Sequence, residues 1–239
     1  TADNNTAIGT QALRYNTTGD ENVAVGHEAL KSNTTGQENT ALGQSALVTN
    51  TTGEYNVAVG QDALFTNNAN HNTAMGVNAL YYNSTGTKNV SIGNYTLQAN
   101  TTGENNVAVG YGALFVNTTA NNNTAIGFNA LVANTTGTQN VAVGSKSLDA
   151  NTTGYYNTAV GYNALTANTT GYSNVAIGWQ ALEDNTAGAG NVAIGDEAMA
   201  NTTTGANVAI GDGAAKTNTT GSQFVAIGSG ALADNTTGN

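Results

Sequence analysis

The chain has no cysteine and no proline, and only 8% of its 239 residues are charged. About 25% is usual for a soluble globule, so the ordinary charged surface is missing. Without cysteine there is neither a disulfide framework nor a thiolate zinc site. The five basic residues, Arg14, Lys31, Lys88, Lys146 and Lys216, are scattered and make no patch. Against a formal charge of −10 they are too few to replace phosphate counterions, which argues against nucleic acid as a partner. No apolar run approaches the ~20 residues that cross a membrane, so no membrane insertion is expected. No signal peptide is visible and the chain starts at Thr1, as a processed product or an excised fragment would.

What is abundant is Asn, Thr, Ala, Val and Gly, and these residues repeat. Fourteen units begin at Asn5, Asn22, Asn39, Asn56, Asn72, Asn89, Asn106, Asn123, Asn140, Asn157, Asn174, Asn191, Asn207 and Phe224. Their spacing is 17 residues, apart from two steps of 16. The unit reads N-[VT]-A-[IV]-G-x-x-A-L-x-x-N-T-T-G-x-x, and its residues are called positions 1 to 17 below. Position 1 is Asn except at Phe224, position 3 is Ala except at Ser91, and position 5 is always Gly. Position 9 is Leu except at Met199 and Ala215, and position 12 is Asn except at Thr202. Every charged residue within the repeats stands at a variable position. In both short units the missing residue is placed after the NTTG segment, at 70–72 and 205–207, which makes the final x-x pair a turn tip.

Seventeen residues are too few for a helix pair. They fit a coil of two short strands and two turns, and the chain is expected to be all-β, one parallel β-solenoid over residues 1–239. The V-A-V run has period 2 and β-branched residues, so it reads as a strand. Positions 2 and 4 are expected to point inward with Leu, and Ala at position 3 outward. The A-L segment is the second expected strand. Asn-Thr-Thr-Gly carries a type I turn signature. Stacking at about 4.8 Å aligns identical residues, so Asn at positions 1 and 12 is expected to form two amide ladders. Asn22, Asn39, Asn33 and Asn50 belong to these ladders, and Gly26 and Gly43 to the corners beside them. An outward Ala column leaves room for another surface to approach closely, so a homo-oligomer, preferably a trimer, is expected.

The runs Asn22-Val23-Ala24-Val25-Gly26 and Asn174-Val175-Ala176-Ile177-Gly178 resemble the head repeats of trimeric autotransporter adhesins. The full unit, as in Asn123-Thr124-Ala125-Ile126-Gly127 with Ala130-Leu131 and Asn134-Thr135-Thr136-Gly137, resembles repeats of phage tail-fibre-type proteins. The resemblance spans essentially the whole chain. It implies a left-handed, trimeric parallel β-roll used for adhesion at a cell or virion surface. The adhesin unit is shorter than 17 residues, and none of these 239 residues reads as a stalk, anchor or chaperone segment.

Chemistry-bearing residues are sparse. The acids occupy variable positions, which does not favour a catalytic pair, so no enzyme activity and no cofactor are expected. Asp196 and Asp212 share position 6 in adjacent units, and a solvated pair is the reading preferred over a metal site. Tyr111, Phe128, Tyr162 and Trp179 also occupy position 6 and form a candidate surface for a glycan or protein receptor. Covering an edge or an inter-chain seam is the equal alternative for them. Phe65, Tyr81 and Phe115 share position 10. Asn-Thr-Thr is a glycosylation sequon at Asn16, Asn33 and Asn50, read as a by-product of turn chemistry. The expected function is an extracellular or virion-surface structural and adhesive fibre segment. The alternatives are an ice-binding solenoid, on the strength of its threonine columns, or a self-assembling filament subunit.

Overall fold

The structure, a computed structural model, describes residues 2–237. Those residues are all-β, with fourteen three-residue strands, one in each repeat, forming a parallel β-solenoid. The chain divides into two compact units, Thr1–Asn121 and Asn122–Asn239. In the first, β1 (Thr6–Ile8) to β7 (Val107–Val109) run in chain order. Pairing is in register, so Ala24 lies against Ala41 and Ala41 against Ala58. In the second, β8 (Thr124–Ile126) to β14 (Val225–Ile227) repeat the pattern, with Ala159 against Ala176. Each coil is named here by its repeat, from coil 1 at Asn5 to coil 14 at Phe224.

The strands face the opposite way from expectation. Ala24, Ala41, Ala58 and their equivalents in coils 2 to 13 are wholly buried, while the residues on either side of them are half-buried or exposed; in coil 1, the first of the described coils, Ala7 is exposed. Ile92, Ile126 and Ile177 each keep more than a third of their surface in solvent. The strand therefore turns its small residue inward and its two β-branched residues outward. The reason is the width of the interior. Ala29 and Leu30, Ala46 and Leu47, and two asparagines per coil already fill it, and two further branched side chains per strand would not fit a close-packed core. Coil 6 shows the same geometry in polar form. There Ser91 and Thr96 replace both facing alanines, their hydroxyl oxygens 2.6 Å apart, and Thr96 donates on to the Gly93 carbonyl at 2.9 Å.

The A-L segment is not a second strand. Ala29 and Leu30 are consecutive and both fully buried, which a pleated strand cannot achieve because it alternates faces. The backbone curls instead. Glu28 and Leu30 have φ of 59° and 50°, the left-handed region that L residues usually avoid. The curl sends peptide groups along the stack in both directions. Glu28 N–H donates to the Thr10 carbonyl of the preceding coil, and Leu30 N–H to the Ala46 carbonyl of the next, each at 2.9 Å.

Two asparagine columns occupy the other side of the interior. Asn39 donates from its backbone N–H and its Nδ2 to Asn22 Oδ1, at 3.0 and 3.1 Å. Asn50 donates from Nδ2 to Asn33 Oδ1 at 3.2 Å. Both columns also meet at one carbonyl, since Asn39 and Asn50 each donate to Gly53 O, at 2.8 and 2.9 Å. The amide groups thus tie position 1, position 12 and position 15 across the coil while linking it to its neighbour.

The two short coils lose their residue elsewhere than expected. In coil 4 the carbonyl that receives the ladder amides belongs to Ala69, not to Asn70. Asn70 and His71 keep the tip positions, with His71 N–H bonded to the Glu54 carbonyl at 3.1 Å. The gap lies in the Thr-Thr corner, where Asn68 does the work of two residues. Its side-chain Oδ1 accepts the N–H groups of Thr51 and Thr52, both at 2.9 Å, as the Thr51 carbonyl does for Thr34 and Thr35. In coil 12 Thr204 likewise stands at position 15, so the same corner is shortened.

Candidate binding surfaces

The strands lay their position-2 and position-4 side chains along one solvent face of each unit. It carries Val, Thr and Ile, with Leu42 and Met75 among the exposed residues, and no charge. Parallel register makes each column regular. Branched side chains held at one χ1 give a stiff apolar stripe, which is the feature expected of an association surface. The alanine column assigned to that role from sequence is inside the coil.

The position-6 aromatics stand on the corner after the invariant glycine. Tyr111, Phe128, Tyr162 and Trp179 are all 45% to 52% exposed. Tyr111 belongs to the first unit and the other three to the second. Tyr162 and Trp179 occupy successive coils, joined through the Gln180 N–H to Tyr162 carbonyl bond of 3.0 Å. Among the described residues no ring contact joins those two. At position 10, by contrast, Phe65 and Tyr81 stack at 4.8 Å with planes 4° apart. Those rings cover each other's faces, and Tyr82 meets Tyr81 edge-on at 4.5 Å.

Sequence reasoning passed over the tips. Positions 16 and 17 carry two ring clusters. In the first unit Tyr55 stacks on His71 at 4.9 Å. The charge of Glu38, with burial and Glu54 adding to it, raises the Tyr55 phenol above its ordinary value. In the second unit Tyr155 stacks on Tyr172 at 5.0 Å and 3°, and Tyr156 meets Tyr155 edge-on at 5.2 Å. The signal was present in the Tyr155-Tyr156 pair, with Tyr172 one repeat further on.

The charged residues make local pairs. Lys31 Nζ lies 2.7 Å from Glu28 Oε1, and this hydrogen bond holds the Glu28 carboxyl below its ordinary value. Lys216 of coil 13 pairs with Glu197 of coil 12. Asp196 and Asp212 stand at the same corner of adjacent coils, and among the described residues no three His, Asp or Glu converge as a metal site. His27 and His71 lie at a corner and at a tip. The threonine columns are partly spent on structure, since Thr34 Oγ1 donates to the Thr51 carbonyl at 2.9 Å. Asn33 and Asn50 are buried and hydrogen-bonded, so the sequons there present no free amide in the folded chain, whereas Asn16 in coil 1 is half-buried. No described helix is long and apolar enough to cross a membrane.

The chain matches no family model, and no match is found among curated proteins or solved structures.

Proposed function

We propose that the chain is a non-catalytic structural and adhesive fibre segment, displayed outside a cell or on a virion and self-associated, with a trimer as the preferred state. The resemblance to adhesin-head and tail-fibre repeats points the same way. The observation that carries this reading is the division of labour within each coil. No Asp, Glu, Lys or Arg is among the buried residues, whereas the constant Ala, Leu and Asn are. The constant positions build the coil, and the variable ones keep their side chains out of its interior. A scaffold of this kind suits display of changing binding chemistry rather than a fixed catalytic site.

Self-association is assigned to the Val/Ile stripe, because water-exposed β-branched columns gain most from being covered. Light scattering on a sizing column tests this part. More than one chain per particle is expected, and a monomer at all concentrations would sink it. Binding of the labelled chain to whole cells tests the adhesive part, and uniform absence of binding across cell types would leave only a spacer.

A further inference from the structure

The tip edge changes character between the two units. In the first it carries Asp20, Glu21, Glu38, Glu54, Lys88 and Glu104. In the second, no charged residue stands at either tip position from Thr138 to Gln223. At this neutral stretch Tyr155, Tyr156 and Tyr172 gather, each at least 39% exposed.

The stack is one-sided. Tyr172 covers one face with Tyr155, which sits parallel to it from the preceding coil. Its other face looks toward coil 11. The bond from Gly190 N–H to the Tyr172 carbonyl, 3.1 Å, sets the register there, and the bond from Ala206 N–H to the Ala189 carbonyl, 2.9 Å, sets it one coil further on. The position-16 residue beside Tyr172 is therefore Ala189, and beyond it stands Gly205. Neither carries a side chain long enough to cover a phenol ring. Packing does not demand this smallness at the tip of coil 11. A Cβ at Gly190 would meet nothing nearer than 3.9 Å, whereas at Gly205 in coil 12 it would sit 2.4 Å from the Ala189 carbonyl oxygen, so there packing does require glycine. The tip positions of other coils hold Tyr, Glu, Gln and Lys. The result is a shelf, with a tyrosine face as its wall and Ala189, Gly190, Gly205 and Ala206 along its floor. Tyr155 backs the wall and Tyr156 braces Tyr155, so the ring is held in place before any ligand arrives.

We infer that this shelf is a saccharide subsite that stacks a neutral hexopyranose ring on the open face of Tyr172. An aromatic face attracts the polarised C–H groups on the flat side of a sugar ring through its quadrupole. Phenol hydroxyls and the exposed Ser173 are at hand for the sugar hydroxyls. The absence of charge along this edge fits a neutral ring and offers nothing to a carboxylated or sulfated one. The inference rests on the adhesive reading above and gives it a ligand class and a place.

The test is a glycan array carrying neutral and sialylated or sulfated oligosaccharides, probed with the full chain and with three variants, each checked for an unchanged far-ultraviolet spectrum. Wild type is expected to bind neutral hexopyranose oligomers and to ignore the anionic ones. Tyr172→Ala is expected to weaken binding about fivefold or more, while Tyr172→Phe retains it, because the stacking face survives. Ala189→Glu places a charged side chain, already present at the equivalent positions Glu54 and Glu104, against the open face and is expected to abolish binding with the wall intact. A blank array overturns the inference, as does preference for anionic glycans or binding unaffected by Tyr172→Ala. So does capture of a protein receptor through this edge with no saccharide bound. If the array is blank while the chain still binds whole cells, the subsite falls and the adhesive reading stands. If both are blank, both fall.

Discussion

Thr202 is the one residue that interrupts the position-12 ladder. Its hydroxyl donates to the Asn218 carbonyl at 2.8 Å but offers nothing to the neighbouring amides. Asn185 Oδ1 and Asn218 Nδ2 are in consequence buried without a partner. Thr202→Asn supplies both an acceptor and a donor at that point. The shortened corner does not forbid it, because Asn67 keeps the ladder through the other short coil, accepting from Asn83 at 2.9 Å. The substitution is expected to stabilise the chain by about 1–2 kcal/mol, seen as a higher melting temperature. Asn50→Ala is its converse. It strands Asn33 Oδ1 in the interior and leaves Asn67 Nδ2 with the Ala69 carbonyl alone, and a loss of roughly 1–3 kcal/mol is expected, read as faster amide exchange in coils 2 to 4. The constancy of Asn at positions 1 and 12 made these columns legible in the sequence. The break at Thr202 was legible too, but its two orphaned atoms needed coordinates.

At the scale of the element, the curl sets the rules. Position 7 is left-handed in every coil, whatever residue occupies it, as with Lys146 at φ 56°. A side chain there costs on the order of 1 kcal/mol, and Gly112, Gly213 and Gly230 already stand at this position. Lys146→Gly is accordingly expected to leave stability unchanged or slightly raised. Lys146→Val is expected to lower it by about 1–2 kcal/mol, since branching at Cβ aggravates the clash. Equal melting temperatures for the two variants would refute this account. The strand corner is stricter. Gly26 has φ 138°, and a Cβ there would sit 2.4 Å from the Gly43 carbonyl oxygen. Gly26→Ala is expected to cost roughly 2–4 kcal/mol. In a stack whose coils contact only their neighbours, the damage should be local, appearing as lost exchange protection in coils 1 to 3 alone. Position 15 is as crowded, with a Cβ at Gly36 2.4 Å from the Gly53 carbonyl oxygen, but its φ is not positive, and Ala69 and Ala120 occupy it while buried.

For the molecule as a whole, the distribution of charge and apolar surface decides behaviour. A formal charge of −10 is carried on variable outer positions, while the Val/Ile stripe has none. Repulsion between copies and attraction along the stripe therefore oppose each other, and salt shifts the balance by screening the first. Self-association is expected to strengthen as ionic strength rises. Ile92→Glu together with Ile126→Glu is expected to reduce the particle mass toward a single chain while leaving the far-ultraviolet spectrum unchanged, because both side chains point outward. A mass that ignores these substitutions would remove the stripe from the interface.

The 17-residue period by itself determined that this chain is a parallel β-solenoid, because a unit so short cannot bury an apolar face except against its own copies. Invariant Gly at position 5 marked the corner for an equally local reason, a backbone conformation open only to glycine. Periodicity of 2 could say that Val and Ile share one strand face and Ala the other, but not which face lies inside. That choice was made by the tertiary structure, where Leu, Ala and two amides per coil leave room only for a methyl group. The same limit hid the curl at Ala-Leu, since consecutive inward residues require a handedness no propensity reveals. It hid the tip cluster as well, because Tyr155, Tyr156 and Tyr172 become a wall only when the coils stack and Ala189 leaves the last ring uncovered.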